Sequence, residues 1–184
     1  MTDWRSFPGP NSYRAEDVEP ALTELGRAKD ERSAQDAYNR VLLAIGNSHR
    51  GTLYPAAVAA APRILEVALQ SAGWARYAAF EVLVELSAFE AEGGFEEFSE
   101  LGGEIVQLKT VVVGTISGAR EQLLSVLADG SEMELVRIDA LDVLELLDQN
   151  LDEVARVLLG MPERSAQGTF DGQRRKFLVG HGYL

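Results

Sequence analysis

The chain contains no cysteine. That absence excludes a disulfide framework, a thiolate zinc or iron–sulfur site and a cysteine nucleophile, and it suits a reducing compartment. Histidine is scarce too, with only His49 and His181, so histidine-based metal or acid–base chemistry has little to draw on. No stretch reaches the roughly 18 uninterrupted apolar residues of a membrane span, and the opening MTDWRSFPGP lacks the basic segment and apolar run of a signal peptide. A cytoplasmic location is the expectation. Phosphate-loop, dinucleotide-fingerprint and His-Glu-x-x-His motifs are all missing. Gly114-Thr115-Ile116-Ser117-Gly118 imitates a nucleophile elbow only superficially, because its serine comes one place too late and no strand is expected before it.

Basic residues are few, and they are thinnest in the middle. The net charge is −12 over 184 residues, which argues against non-specific nucleic-acid binding, a task for clustered Lys and Arg. Between Tyr77 and Glu153 stand 18 acidic residues against Lys109, Arg120 and Arg137, a local net of −15 that leaves +3 for the rest of the chain. The middle of the protein is therefore expected to present a negative field able to steer a cationic partner. A set of solvated helix faces kept acidic for solubility fits the same count.

Apolar residues recur with helical rather than strand periodicity, so the fold class expected is all-α. A short helix is read over Ala15 to Ala28, with its firm start at Glu19 or Pro20. A second, capped by Ser33, runs to Ile45, and a polar turn, Asn47 to Thr52, follows it. The third runs from Pro55 to Leu69, with Pro62 expected to kink or divide it, and a fourth begins after Gly73 and is apolar on nearly every side. Glu90 to Gly103 reads as an acidic loop with one turn of helix near Phe95 to Phe98. Helices are then expected from Glu104 to Ala128, interrupted near Gly114 and Gly118, from Glu132 to Leu147, and from Leu151 to Leu159 with Asn150 as cap. One domain over residues 1–184 is expected, with an irregular segment 1–14 and a C-terminal tail 163–184 of open order.

Ile64 to Leu86 aligns with Leu123 to Leu147 if the second copy carries two extra residues in its turn, so that Arg76, Ala79, Phe80, Glu81, Val82 and Leu83 match Arg137, Ala140, Leu141, Asp142, Val143 and Leu144. The turn with Asp129, followed by Val136-Arg137, Ala140-Leu141 and Leu144, resembles a HEAT repeat. In that family the arginine and aspartate tend to form a ladder between repeats, which the first copy departs from with Ser71 and Ala72 in its turn. The resemblance implies a short α-solenoid of about three to four helical pairs, while an irregular helical bundle fits the periodicity alone. A longer stretch, from Trp4 through Ala15-Glu16-Asp17-Val18, Tyr38 to Ile45 and the turn His49, Gly51, Thr52, Tyr54, is similar to small bacterial HEAT-like proteins. Some of these look like immunity proteins that neutralise toxins, and that function is implied by the resemblance only.

Glu81 and Glu85 share one face of the fourth helix, and Asp142 and Glu145, with Asp139 near, share one face of the helix beginning at Glu132. If the repeat holds, Glu81 and Asp142 are equivalent and form part of an acidic stripe. Paired carboxylates serve glycoside hydrolysis or metal binding, but a solvated or partner-binding face is the plainer reading. The loop residues Glu92, Phe95, Glu96 and Glu97 combine aromatic anchors with charge, as interfaces do, and the two phenylalanines Phe95 and Phe98 equally suit a role tying the loop down. His49 is expected to bond the ends of flanking helices or to touch a partner, Trp4 and Trp74 to serve as core or staple residues, and Arg174-Arg175-Lys176 to be a solvated run. The function expected is a non-enzymatic protein-binding module, an immunity protein meeting a basic toxin domain through this acidic surface, with no cofactor, metal, nucleic acid or membrane. An adaptor for an endogenous complex and a carboxylate-dependent enzyme are the alternatives.

Overall fold

The computed structural model describes residues 2–7, 12–45, 51–91, 98–101, 103–147, 150–162 and 168–184, of which 98–101 are described by their backbone. Among the described residues the chain is mostly helical, with nine α-helices and one two-stranded hairpin. Contacts gather it into two compact units, Met1–Ala119 and Arg120–Leu184. No single described helix is long and apolar enough to cross a membrane.

The first unit begins with a short 3-10 turn, Trp4–Ser6, in which Trp4 is buried, donates from Nε1 to Glu19 at 3.2 Å, and has its carbonyl held by the Tyr13 hydroxyl at 2.8 Å. Trp4 thus staples the N-terminal segment to helix α1 (Ala15–Leu25). This helix starts at Ala15, ahead of the firm start expected at Glu19 or Pro20, and holds Pro20 in its interior; the missing N–H there costs about 3 kcal/mol, which burial of Val18, Ala21, Leu22 and Leu25 opposes. Helix α2 (Glu31–Ala44) is capped by Asp30 and not, as expected, by Ser33. Ser33 instead completes a reciprocal capping box, its N–H donating to Asp30 Oδ1 at 2.8 Å and its hydroxyl oxygen accepting from the Asp30 N–H at 3.1 Å.

Helix α3 (Pro55–Gln70) contains Pro62 and is one element, so of the expected kink or division the division does not occur. An interior proline costs about 3 kcal/mol. Nine buried residues on α3, from Pro55 to Ala68, oppose that cost through apolar area removed from water. Helix α4 (Gly73–Ala88) packs on both α2 and α3, which accounts for its nearly all-round apolar sequence. Its C-terminal carbonyls are collected by Lys109, whose Nζ donates to Ser87 O and Phe89 O at 2.8 Å each and pairs with Glu90 at 2.9 Å. Just beyond, Glu90 pairs its backbone with Gly51 and Leu53, N–H to Gly51 O and carbonyl to the Leu53 N–H, both at 3.0 Å. Gly51 has φ +66°, a region costly for side-chain-bearing residues.

The acidic segment then forms an antiparallel hairpin of β1 (Phe98–Leu101) and β2 (Glu104–Gln107), where a loop and the start of a helix were expected. Strand β2 runs straight into α5 (Leu108–Ser117), which packs on α3 and contains Gly114 without interruption; the helix ends just before Gly118. The elbow-like Gly114 to Gly118 motif therefore lies in and at the end of a helix.

The second unit holds α6 (Arg120–Ala128), α7 (Glu134–Leu146), α8 (Leu151–Gly160) and α9 (Thr169–Gly180). Helix α7 packs against α6, α8 and α9. Asn150 occupies the position before α8 in a left-handed conformation, and its amide donates to Glu153 at 3.1 Å instead of accepting from the helix backbone as a cap would. Arg120 ties the starts of α6 and α8 together through Glu153 at 3.1 Å and Asn150 O at 2.8 Å. The segment read as a tail contains α9, which buries Phe170, Arg174, Phe177 and Leu178.

One device recurs in three helical pairs. Arg76 of α4 donates to Leu69 O at 3.2 Å, Arg137 of α7 to Leu127 O at 3.0 Å, and Arg174 of α9 to Met161 O at 3.0 Å. In each pair the second helix supplies a guanidinium to a carbonyl at the end of the first, where unpaired C=O groups and the helix dipole both favour a cation.

Candidate partner-binding site

Four residues on α4, Trp74, Tyr77, Glu81 and Glu85, are spaced three or four apart and share one face of the helix. Trp74 and Tyr77 meet edge to face, ring centroids 5.7 Å apart. The Tyr77 hydroxyl donates to Glu81 Oε1 at 2.8 Å, and the Tyr38 hydroxyl, from α2, donates to Glu85 Oε1 at 3.0 Å. The α2–α4 packing thus carries a half-buried cluster of three aromatic rings and two carboxylates.

The cluster's electrostatics follow from that burial. Partial loss of water raises the Glu81 carboxyl above its ordinary range; the Glu85 charge adds to the rise, and the Tyr77 hydrogen bond opposes it. The Tyr38 hydroxyl is likewise pushed up, first by burial and then by its bond to Glu85 and the nearby carboxylate charges. Glu81 Oε2 is buried with no hydrogen-bond partner. Among the described residues no basic side chain pairs with Glu81 or Glu85. Two carboxylates beside aromatic rings form a chemically suitable seat for an ammonium or guanidinium group, which gains both a charge-assisted hydrogen bond and attraction to the ring faces.

The acidic residues of α7 are in a different condition. Asp142 Oδ1 accepts from Gln173 Nε2 of α9 at 3.1 Å, and Glu145 Oε1 lies 3.0 Å from His181 Nε2 just beyond that helix. Burial raises the Asp142 carboxyl; the Gln173 bond lowers it, Glu145 raises it, and the Lys176 charge lowers it. Asp139 is half-buried on the same helix. Thus α9, whose basic run reads from sequence as a solvated tail, supplies the groups that engage this acidic face. Glu81 and Asp142, though aligned in the repeat, are in unlike surroundings.

Of the other expected contact residues, His49, Glu92, Phe95, Glu96 and Glu97 lie outside the described residues. The chain segments leading from and to them are joined by the Gly51–Glu90–Leu53 backbone pairing. Sequence reasoning missed Tyr38, Tyr77 and Trp74 as members of the α4 cluster. Trp74 and Tyr77 were readable from their spacing to Glu81, whereas Tyr38 is 47 residues from Glu85 and only the fold brings it there.

A cavity of about 160 Å³ in the second unit is lined by Arg137, Arg174, Phe170, Asp171, Glu132 and their neighbours. Arg137 lies 3.7 Å over the Phe170 ring and reaches Met161 Sδ at 3.3 Å, while Arg174 faces Asp171 at 3.7 Å. These arginines already hold helix ends, so the cavity reads as the inside of a structural network. Among the described residues no group of three or more His, Asp or Glu side chains is placed to hold a metal ion. The chain matches no protein-family model, no curated protein and no solved structure.

Proposed function

We propose that this chain is a non-enzymatic protein-binding module, an immunity protein whose acidic face neutralises a basic toxin domain. The observation that carries the reading is the contrast between the two acidic helices. The Glu81–Glu85 cluster of α4 is half-buried, ringed by Tyr38, Tyr77 and Trp74, and without a described cation, while Asp142 and Glu145 of α7 are engaged by the chain's own α9. A lysine or arginine of the partner would seat against α4, with truncation of either carboxylate costing on the order of 2 kcal/mol, the low end for interfacial charge pairs because the site is only half-buried.

A HEAT-like arrangement is part of the same proposal. Within the first unit α2 packs on α4 and α3 on α5, and within the second α6 packs on α8 and α7 on α9, in addition to the contacts of α1 with α2, α3 with α4, α4 with α5, α6 with α7 and α7 with α8. Packing of each helix on its second neighbour is what stacked helical pairs produce. The recurring arginine at the end of the preceding helix supports it too.

The test is capture from a lysate of the protein's own cells at low salt, using the wild-type chain and Glu81→Lys/Glu85→Lys. The expected result is one basic protein, lost in the double variant, that is toxic when expressed alone and harmless when co-expressed with the wild-type chain. A non-toxic endogenous complex captured through the same face replaces immunity with an adaptor role. Capture that survives the double variant removes α4 as the site.

A further inference from the structure

Met161, the residue that follows α8, joins three helices of the second unit. Its carbonyl accepts from Arg174 Nη2 of α9 at 3.0 Å, and its sulfur accepts from Arg137 Nη2 of α7 at 3.3 Å. Both arginines are more than nine-tenths buried, whereas Met161 is only half-buried. It lines the cavity of about 160 Å³ together with Glu134 and Pro162, which are exposed, so solvent reaches that cavity. A water molecule's share of the liquid is about 30 Å³, and a molecule little larger, such as hydrogen peroxide, has room there.

A thioether is a poor acceptor for so buried a cation. Sulfur accepts weakly, and a guanidinium taken out of water gains more from an oxygen. We infer that Met161 is a site of oxidation by hydrogen peroxide, with the resulting sulfoxide oxygen held by Arg137. In that step a sulfur lone pair attacks one peroxide oxygen, and the S–O bond forms as the O–O bond breaks. The proton on the transferred oxygen passes to the departing hydroxide, which leaves as water; sulfur loses two electrons and the peroxide gains them. The N–H of Arg137 engages one sulfur lone pair and leaves the other for the oxidant, while its charge favours the negative charge that gathers on the departing oxygen. The unbranched methionine side chain then turns its new oxygen to the guanidinium. A dithiol, acting through a methionine sulfoxide reductase, reverses the change. The inference stands apart from the cationic-partner reading.

The test treats the full chain with dilute hydrogen peroxide and follows each methionine by peptide mass spectrometry. Met133, at the start of α7, is the internal reference: it is half-buried as well, and among the described residues none donates to its sulfur. Met161 is expected to take up one oxygen at least fivefold faster than Met133 in the folded chain. In urea above the unfolding midpoint, where Arg137 no longer adjoins the sulfur, the two rates are expected to be equal. Arg137→Gln is expected to bring the Met161 rate down to that of Met133. Because that variant can also loosen the second unit, the wild-type comparison between folded and unfolded chain decides the point without it. Oxidation of a packed methionine ordinarily disrupts its surroundings, so the second readout is the urea midpoint of the oxidised wild-type chain. It is expected to equal or exceed that of the untreated chain, and the midpoint of Met161→Leu is expected not to respond to peroxide. A Met161 rate no greater than that of Met133 in the folded chain overturns the site. A midpoint lowered by oxidation in the wild type, but not in Met161→Leu, overturns the hold of Arg137 on the sulfoxide.

Discussion

Glu81 holds its proton more tightly in the folded chain than in the unfolded one, because burial penalises its charged form. The folded state therefore binds more protons over the interval between the ordinary glutamate value and the raised one, and stability falls as pH rises through that interval. Above it the cost is fully present; below it there is none. Glu81→Gln keeps an acceptor for the Tyr77 hydroxyl and removes the charge. Its melting temperature at pH 7 is expected to exceed the wild type's by a few degrees at most, since half exposure screens the charge, and the difference is expected to vanish on acidification below the ordinary glutamate range. Thermal melts of both proteins from acid to neutral pH check this, and a constant offset at every pH contradicts it. The pairing of Glu81 with Glu85 is legible in the sequence as an i, i+4 spacing. Their environment is not, because the Tyr38 hydroxyl arrives from a different helix.

At the scale of elements, the arginines that hold helix ends differ in burial, and the difference sets their worth. Arg137 is 7% exposed, donates to Leu127 O and lies over Phe170, whereas Arg76 is only half-buried. A hydrogen bond to a charged group contributes about 1.5–3 kcal/mol, and a desolvated ring contact adds to it. Arg137→Met is accordingly expected to cost about 3 kcal/mol in urea unfolding and Arg76→Met about 1 kcal/mol; equal shifts of the two midpoints would show that burial is not what matters. Arg174→Met is expected to fall near Arg137, since it is 8% exposed and holds Met161 O. Phe170, Arg174, Phe177 and Leu178 fall on one helical face at intervals of four, three and one, yet glycines and the run Arg174-Arg175-Lys176 hide α9 as a tail. The hairpin escapes for a different reason: Gly102-Gly103 between two four-residue strands is a hairpin signal, but strands so short leave almost no alternation to detect. Helices α2, α3, α4 and α7, longer and periodic, are visible to within a few residues, and so is the shorter α8, bounded by Asn150 and Gly160.

For the whole molecule, the charge surplus of the middle region is readable by counting, but how it is employed is not. Of its described carboxylates, Asp142 and Glu145 of α7 are engaged within the second unit, and Glu81 and Glu85 of α4 meet only tyrosine hydroxyls. A cationic partner gains most where the protein has not already supplied the opposite charge, so the two groups should respond differently to substitution. Glu81→Lys/Glu85→Lys is expected to weaken association with the captured partner at least tenfold. Asp142→Asn/Glu145→Gln should leave it within about threefold, while loosening the hold of Gln173 and His181 on α7. Salt separates steering from contact in the same measurement. The Debye length falls to about 10 Å at 0.1 M salt, so added salt should slow wild-type association through the net charge of −12. The Asn/Gln pair should keep most of that dependence, and the α4 double-lysine variant should lose affinity through faster dissociation as well. Stopped-flow association and dissociation rates at several ionic strengths measure both. If the α7 variant proved the more damaging, the partner's seat would move from α4 to α7, and α9 would have to give way on binding.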